Sequence, residues 1–78
     1  MRRVLIVVDM QNDFVDEKGA LSSQAARDIV PYIQAKVKKT LQDGDEVVFT
    51  LDTHLEDDAE FDKFAPHCVH GTWGQELI

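Results

Sequence analysis

One cysteine and two prolines occur in the 78 residues, and no apolar run is longer than Val4–Val8. A lone cysteine cannot close an internal disulfide, which excludes a disulfide-stapled secreted scaffold. The apolar run falls far short of the roughly 18 to 20 residues of a membrane span. It follows Arg2 and Arg3 but stops at Asp9, without the longer apolar stretch or small-residue cleavage site of a signal peptide. Positive charge is also scarce. Eight Lys+Arg face 15 Asp+Glu, a net charge of -7, which argues against nucleic acid or an anionic membrane as partner. The expectation is a soluble cytoplasmic protein.

With 44% hydrophobic and 29% charged residues the chain is not predicted to be disordered. Its acids are uneven: nine of them, from Asp43 to Asp62, fall within one stretch of twenty residues. Such a cluster is ordinarily a solvated loop.

Val4–Val8 is β-branched and lacks alternation, as in a strand of a parallel sheet covered on both faces. Met10 to Ala20 carries Asn12, Asp13, Asp16 and Gly19 and reads as loop. Ser22 and Ser23 suit a helical cap, Pro31 fits the first turn of a longer helix, and Gly44 supplies its stop. Ile33, Val37 and Leu41 make one apolar stripe on that helix. Glu46–Leu51 is a second short strand, closed by Asp52, after which no periodicity remains. Strand, helix, strand is one βαβ unit. Alone it leaves a sheet face and both edges uncovered, so the expectation is an incomplete α/β fold, finished by a partner chain or by more of its own chain.

Ligands of open parallel sheets bind outside the carboxyl ends of the strands, where Asp9 and Asp52 stand. A strand-end aspartate often merely bonds the following turn. Asp52-Thr53-His54 is sharper, because residues i and i+2 of extended chain project to one side. With Glu60, His67 and His70 downstream, two imidazoles and carboxylate oxygen suit a divalent metal such as Zn, Fe or Mn. The same spacing also occurs by chance in an acidic loop. Cys68 beside His67 invites a nucleophile reading. No neighbouring base depresses its pKa, and a structural cysteine is the better expectation.

Three segments in order, Val7-Val8-Asp9-Met10-Gln11-Asn12-Asp13-Phe14, Thr50-Leu51-Asp52-Thr53-His54 and Pro66-His67-Cys68-Val69-His70-Gly71-Thr72-Trp73-Gly74, resemble the opening motifs of the isochorismatase-like cysteine hydrolases. Within them the pattern is most similar to the nicotinamidases, and the likeness runs over essentially the whole chain. The resemblance implies a three-layer α/β/α fold around a mostly parallel, Rossmann-like sheet. Residues 1–78 would supply its first βαβ unit and metal-site loop, as the N-terminal part of one domain. It implies hydrolysis of nicotinamide to nicotinate and ammonia through a cysteine thioester, a step of NAD salvage. Asp9 matches the catalytic acid–base residue, and Asp52, His54 and His67 match metal ligands. Glu60 matches the remaining ligand by spacing, with Asp57, Asp58 or Asp62 as substitutes. Phe14 and Phe64 match aromatic positions around the substrate ring, and the metal's implied task is to orient the pyridine nitrogen.

The family's triad also needs a lysine and a nucleophilic cysteine, and neither stands here in the expected context; Cys68 lies in the metal motif. The chain alone is therefore expected to be inactive and to need the rest of its own chain, with a homo-oligomer a further possibility. Two alternatives stay open. One is a hydrolase of the same superfamily acting on another small substrate. The other is a non-enzymatic βαβ module completed by a partner chain.

Overall fold

The computed structural model describes residues 2–78. Strand β1 (Val4–Val7) pairs in parallel with β2 (Glu46–Phe49), in the register Val4 with Glu46 through Val7 with Phe49. Between them lie a short helix α1 (Asn12–Val15) and the long helix α2 (Gln24–Gln42). Two 3-10 turns, Ala59–Asp62 and Trp73–Gln75, follow β2. The expected βαβ unit is present, with β1 one residue shorter than the apolar run. None of the helices is long and apolar enough to cross a membrane among the described residues.

α2 starts where Ser23 Oγ accepts the Ala26 N–H at 3.1 Å, and this occupies one of the four donors a helix start leaves free. It ends at Asp43, followed by Gly44 at φ 77°, a left-handed position that glycine takes without strain. Pro31 lies inside α2, not in its first turn as expected. Its missing N–H removes one bond of the helix ladder. Packing compensates: Ala26, Val30, Ile33 and Val37 lie against the buried core of Val7, Met10 and Val15. Tertiary burial thus overrides a local breaker. Leu41, the end of the expected stripe, stays exposed.

The Met10–Ala20 segment also differs from expectation, since Asn12–Val15 closes into a helical turn within it. The turn buries Val15 in the core and Gln11 and Asn12 against the later loops.

α2 covers the sheet face of Leu5, Val7 and Val47. On the opposite face Val4, Ile6, Val8 and Val48 are about half exposed, at 55%, 59%, 63% and 47%. One layer of helix and a two-stranded sheet are therefore in place, and the second face is bare within these residues.

Ser23→Ala in the full-length protein is expected to cost about 1 kcal/mol through the lost cap. A lower urea midpoint with unchanged slope is the readout. An unchanged midpoint would remove the cap from the account.

Candidate active site

The backbone leaves β1 through Asp9 at φ 53°, a left-handed conformation that a short polar side chain tolerates better than most. Thr50, just past β2, holds this residue twice. The Asp9 N–H donates to Thr50 Oγ1 at 3.0 Å, and the Thr50 hydroxyl donates to Asp9 Oδ1 at 2.7 Å. The half-buried acid at the end of one strand is thereby fixed by the end of its neighbour.

Gln11 is fully buried. Its Nε2 donates to the Asp52 carbonyl at 2.8 Å and the Gln75 carbonyl at 2.7 Å, and its Oε1 accepts the Asp52 N–H at 2.8 Å. Both backbone polar groups of Asp52 are thus pinned by one amide. Asn12 Nδ2 donates to the Trp73 carbonyl at 2.8 Å. The Asp13 carboxylate accepts the Cys68 N–H at 2.7 Å and the Ala20 N–H at 3.1 Å. Gly74 packs onto that carboxylate so closely that a Cβ would overlap it. Residues 11–13 therefore tie down the segments that carry Asp52 and His67.

Those segments bring together the donors expected from spacing. Asp52 Oδ2 lies 2.9 Å from His54 Nε2 and 3.5 Å from His67 Nε2. The Glu60 carboxylate lies 3.6 Å from His54 Nε2 and 3.9 Å from His67 Nε2. His67 Nδ1 is 2.8 Å from the Ala65 carbonyl, which only accepts, so Nδ1 carries the proton and Nε2 the lone pair. His54 Nδ1 is 3.0 Å from Asp58 Oδ2. A bridge between His54 and Val69 and a bond from the His70 N–H to the His54 carbonyl at 2.8 Å hold the two loops side by side.

The donor set fits a cation. Lone pairs and carboxylate oxygens facing one another repel unless a proton or metal lies among them. A tetrahedral ion with bonds of about 2.0 to 2.1 Å places its donors about 3.3 Å apart. The four separations, 2.9 to 3.9 Å, bracket that value. Asp52, His54 and His67 form one group able to hold a metal, and His54, Asp58 and Glu60 an overlapping one. Without a metal, a proton on His54 is favoured there. The His54 pKa is raised above 6.5, first by its bond to Asp58, against the opposing effect of burial, then by Asp52 and the charge of Glu60. The Asp58 pKa is lowered by the same bond to His54 and by the Glu60 N–H.

Aromatic rings wall the imidazoles. Phe14 and Phe64 lie 5.6 and 6.4 Å from His67, so both expected ring positions are at the cluster. Phe61, which spacing did not single out, lies 5.4 Å from His54 and 5.5 Å from His67. Gln11 was also missed as a site residue, and Asp58, expected only as a substitute for the Glu60 ligand, lies on the far side of His54. The i,i+4 separation of Asp58 from His54 was a usable signal; nothing local marked Gln11. Asp57 and Asp62 belong to neither metal-holding group. The His70 side chain is not part of the cluster either.

Cys68 is fully buried at φ 48°. Burial pushes its thiol up to about 12, helped by the charges of Asp52, Asp13 and Asp9. That is the opposite of an activated nucleophile.

Fold and site together are those of part of an open, parallel α/β framework whose loops beyond the strand ends gather side chains able to hold a metal. The model of the isochorismatase domain matches residues 3–78, and the chain belongs to that family. It is 37% identical to an uncharacterised isochorismatase family protein, PncA of Bacillus subtilis, over 99% of this chain and 44% of that protein. The crystal structure of nicotinamidase/pyrazinamidase PncA from Bacillus subtilis superposes with a TM-score of 0.89 at 40% identity, covering 100% of this chain and 45% of that one. A pyrazinamidase of Pyrococcus horikoshii in complex with zinc gives 0.88 at 35% identity, covering 96% and 44%. The chain thus spans under half the length of these relatives.

At about pH 8 about one in ten thousand thiols with a pKa near 12 is ionised, against about one in four of ordinary cysteines. Iodoacetamide should therefore leave Cys68 unmodified in the native full-length protein and label it after denaturation, read by peptide mass mapping. Rapid native labelling would contradict the burial.

Proposed function

We propose that the whole protein is a nicotinamidase: it hydrolyses the carboxamide of nicotinamide to nicotinate and ammonia, a step of cytoplasmic NAD salvage. The observation that carries this reading is that Asp9 and Asp52 follow adjacent ends of two parallel strands, tied across by Thr50 and Gln11, with His54, Glu60 and His67 gathered around Asp52. Relatives whose names are nicotinamidase and pyrazinamidase support the choice of substrate class.

Asp9 acts as the acid–base residue. It takes the proton of a cysteine thiol supplied by polypeptide beyond residue 78, and the thiolate attacks the amide carbon. As the C–N bond breaks, Asp9 hands that proton to the departing amine, leaving a thioester that water hydrolyses to the acid. Thr50 holds the carboxylate in place for both transfers. Phe14 and Phe64 flank the ring, and the burial of His54 and His67 keeps water from their lone pairs. Asp52, His54, Glu60 and His67 would hold a divalent ion, which would supply a fixed positive charge for orienting the pyridine nitrogen. The 78 residues alone, lacking the nucleophile and the family's lysine, do not turn over.

In the full-length protein Asp9→Asn should lower kcat by about 100- to 10,000-fold with bound metal retained. His54→Ala should lose metal and raise KM by at least about tenfold, with the smaller effect on kcat. Ammonia release and elemental analysis are the readouts. Parent-like turnover in Asp9→Asn, or no action of the full-length protein on nicotinamide, would end the proposal.

A further inference from the structure

Asp58 stands behind the donor cluster, and its two oxygens have separate partners. Oδ2 lies 3.0 Å from His54 Nδ1, and Oδ1 accepts the Glu60 backbone N–H at 2.8 Å. The second bond makes Asp58 the N-cap of the 3-10 turn Ala59–Asp62, which carries Glu60. We infer that Asp58 is a positioning residue that sets two of the four donors at once: it holds His54 in the Nδ1–H tautomer with the Nε2 lone pair toward the cation position, and it anchors the turn that presents the Glu60 carboxylate there.

The inference rests on the metal site proposed above and adds how that site is assembled. A neutral imidazole has one donor and one acceptor nitrogen, and its hydrogen bonds choose which is which. Two carboxylates compete for the single ring proton of His54, with Asp52 Oδ2 2.9 Å from Nε2 and Asp58 Oδ2 3.0 Å from Nδ1. If the proton goes to Nε2, the ring cannot ligate through the nitrogen that faces Asp52 and His67. Glu60 is exposed and belongs to a four-residue turn with no buried side chain, so the Asp58 cap is one of few restraints on it, beside the Phe61 ring packed on the imidazoles and the turn's own backbone bonds. A carboxylate has an acceptor for each task; an amide has one acceptor for two. A serine hydroxyl keeps the cap and is too short to reach the imidazole.

The test uses the full-length protein stripped of metal, with zinc as the probe. Zinc affinity is measured by competition with a chromophoric chelator. The His54 tautomer is read from its ring 15N shifts on the alkaline side of its titration. The parent should show Nδ1–H. Asp58→Ser should shift His54 toward Nε2–H and weaken zinc about 10- to 100-fold, while the cap keeps thermal stability near the parent's. Asp58→Asn should also weaken zinc, and Asp58→Ala should weaken it most. Parent-like zinc affinity with unchanged Nδ1–H in Asp58→Ser would overturn the inference. Unchanged zinc affinity in His67→Ala would instead overturn the metal site itself, and the tautomer shift would still decide whether Asp58 sets the ring.

Discussion

The site depends on one buried amide. Gln11 has no contact with solvent, so its donors and acceptor must be met within the protein or each unmet group costs on the order of 1 to 3 kcal/mol. They are met by the backbone of Asp52 and Gln75. Satisfying Gln11 therefore forces the end of β2 and the loop near residue 75 onto the chain that has just left β1. Thr50 repeats the device one step closer to the sheet by bonding Asp9. An acid from one strand and a chelating motif from the next are placed by hydrogen bonds whose loss would leave buried groups unpaired.

The surplus of negative charge acquires a meaning from this geometry. Most of the acids between positions 43 and 62 are exposed. Asp52, Asp58 and Glu60 surround His54, and Asp52 and Glu60 also lie near His67. Acid beside imidazole is unstable as neutral lone pairs and bare carboxylates, and it is stabilised by a cation or a proton. At Cys68 burial works first against thiolate, and Asp52, with Asp13 and Asp9, adds to it. Asp52 thus takes part in both effects: it favours a cation beside the imidazoles and disfavours thiolate at Cys68.

The sheet shows the limits of what 78 residues can complete. α2 covers one face with Ala26, Val30, Ile33 and Val37, while Val4, Ile6 and Val8 on the other stay more than half exposed among the described residues. Relatives about twice as long share this portion with TM-scores near 0.9. The uncovered face accords with a framework whose second helical layer is not among these residues.

Much was legible in residue order. The unbroken Val4–Val8 run, the Ser23 cap and the Gly44 stop define the βαβ unit because they act through local backbone preference and periodicity. Asp52 and His54 could be paired because the period of an extended chain is two. Pro31 misled, since a local rule for helix starts cannot see the core burial that carries α2 through it. The turn at Asn12–Val15 was also hidden, because its stability comes from Val15 in the core and from Gln11 and Asn12 bonding to loops some 40 to 64 positions away. Choosing Glu60 as the carboxylate near both imidazoles, and giving Asp58 the far side of His54, required the folded loop. Five acids lie between positions 56 and 62, and only three-dimensional proximity separates those that face the imidazoles from those that face water. Residue order decided which chemical groups are available and where the strands end. Tertiary structure decided which groups meet, because distance across a fold is set by packing and not by spacing along the chain.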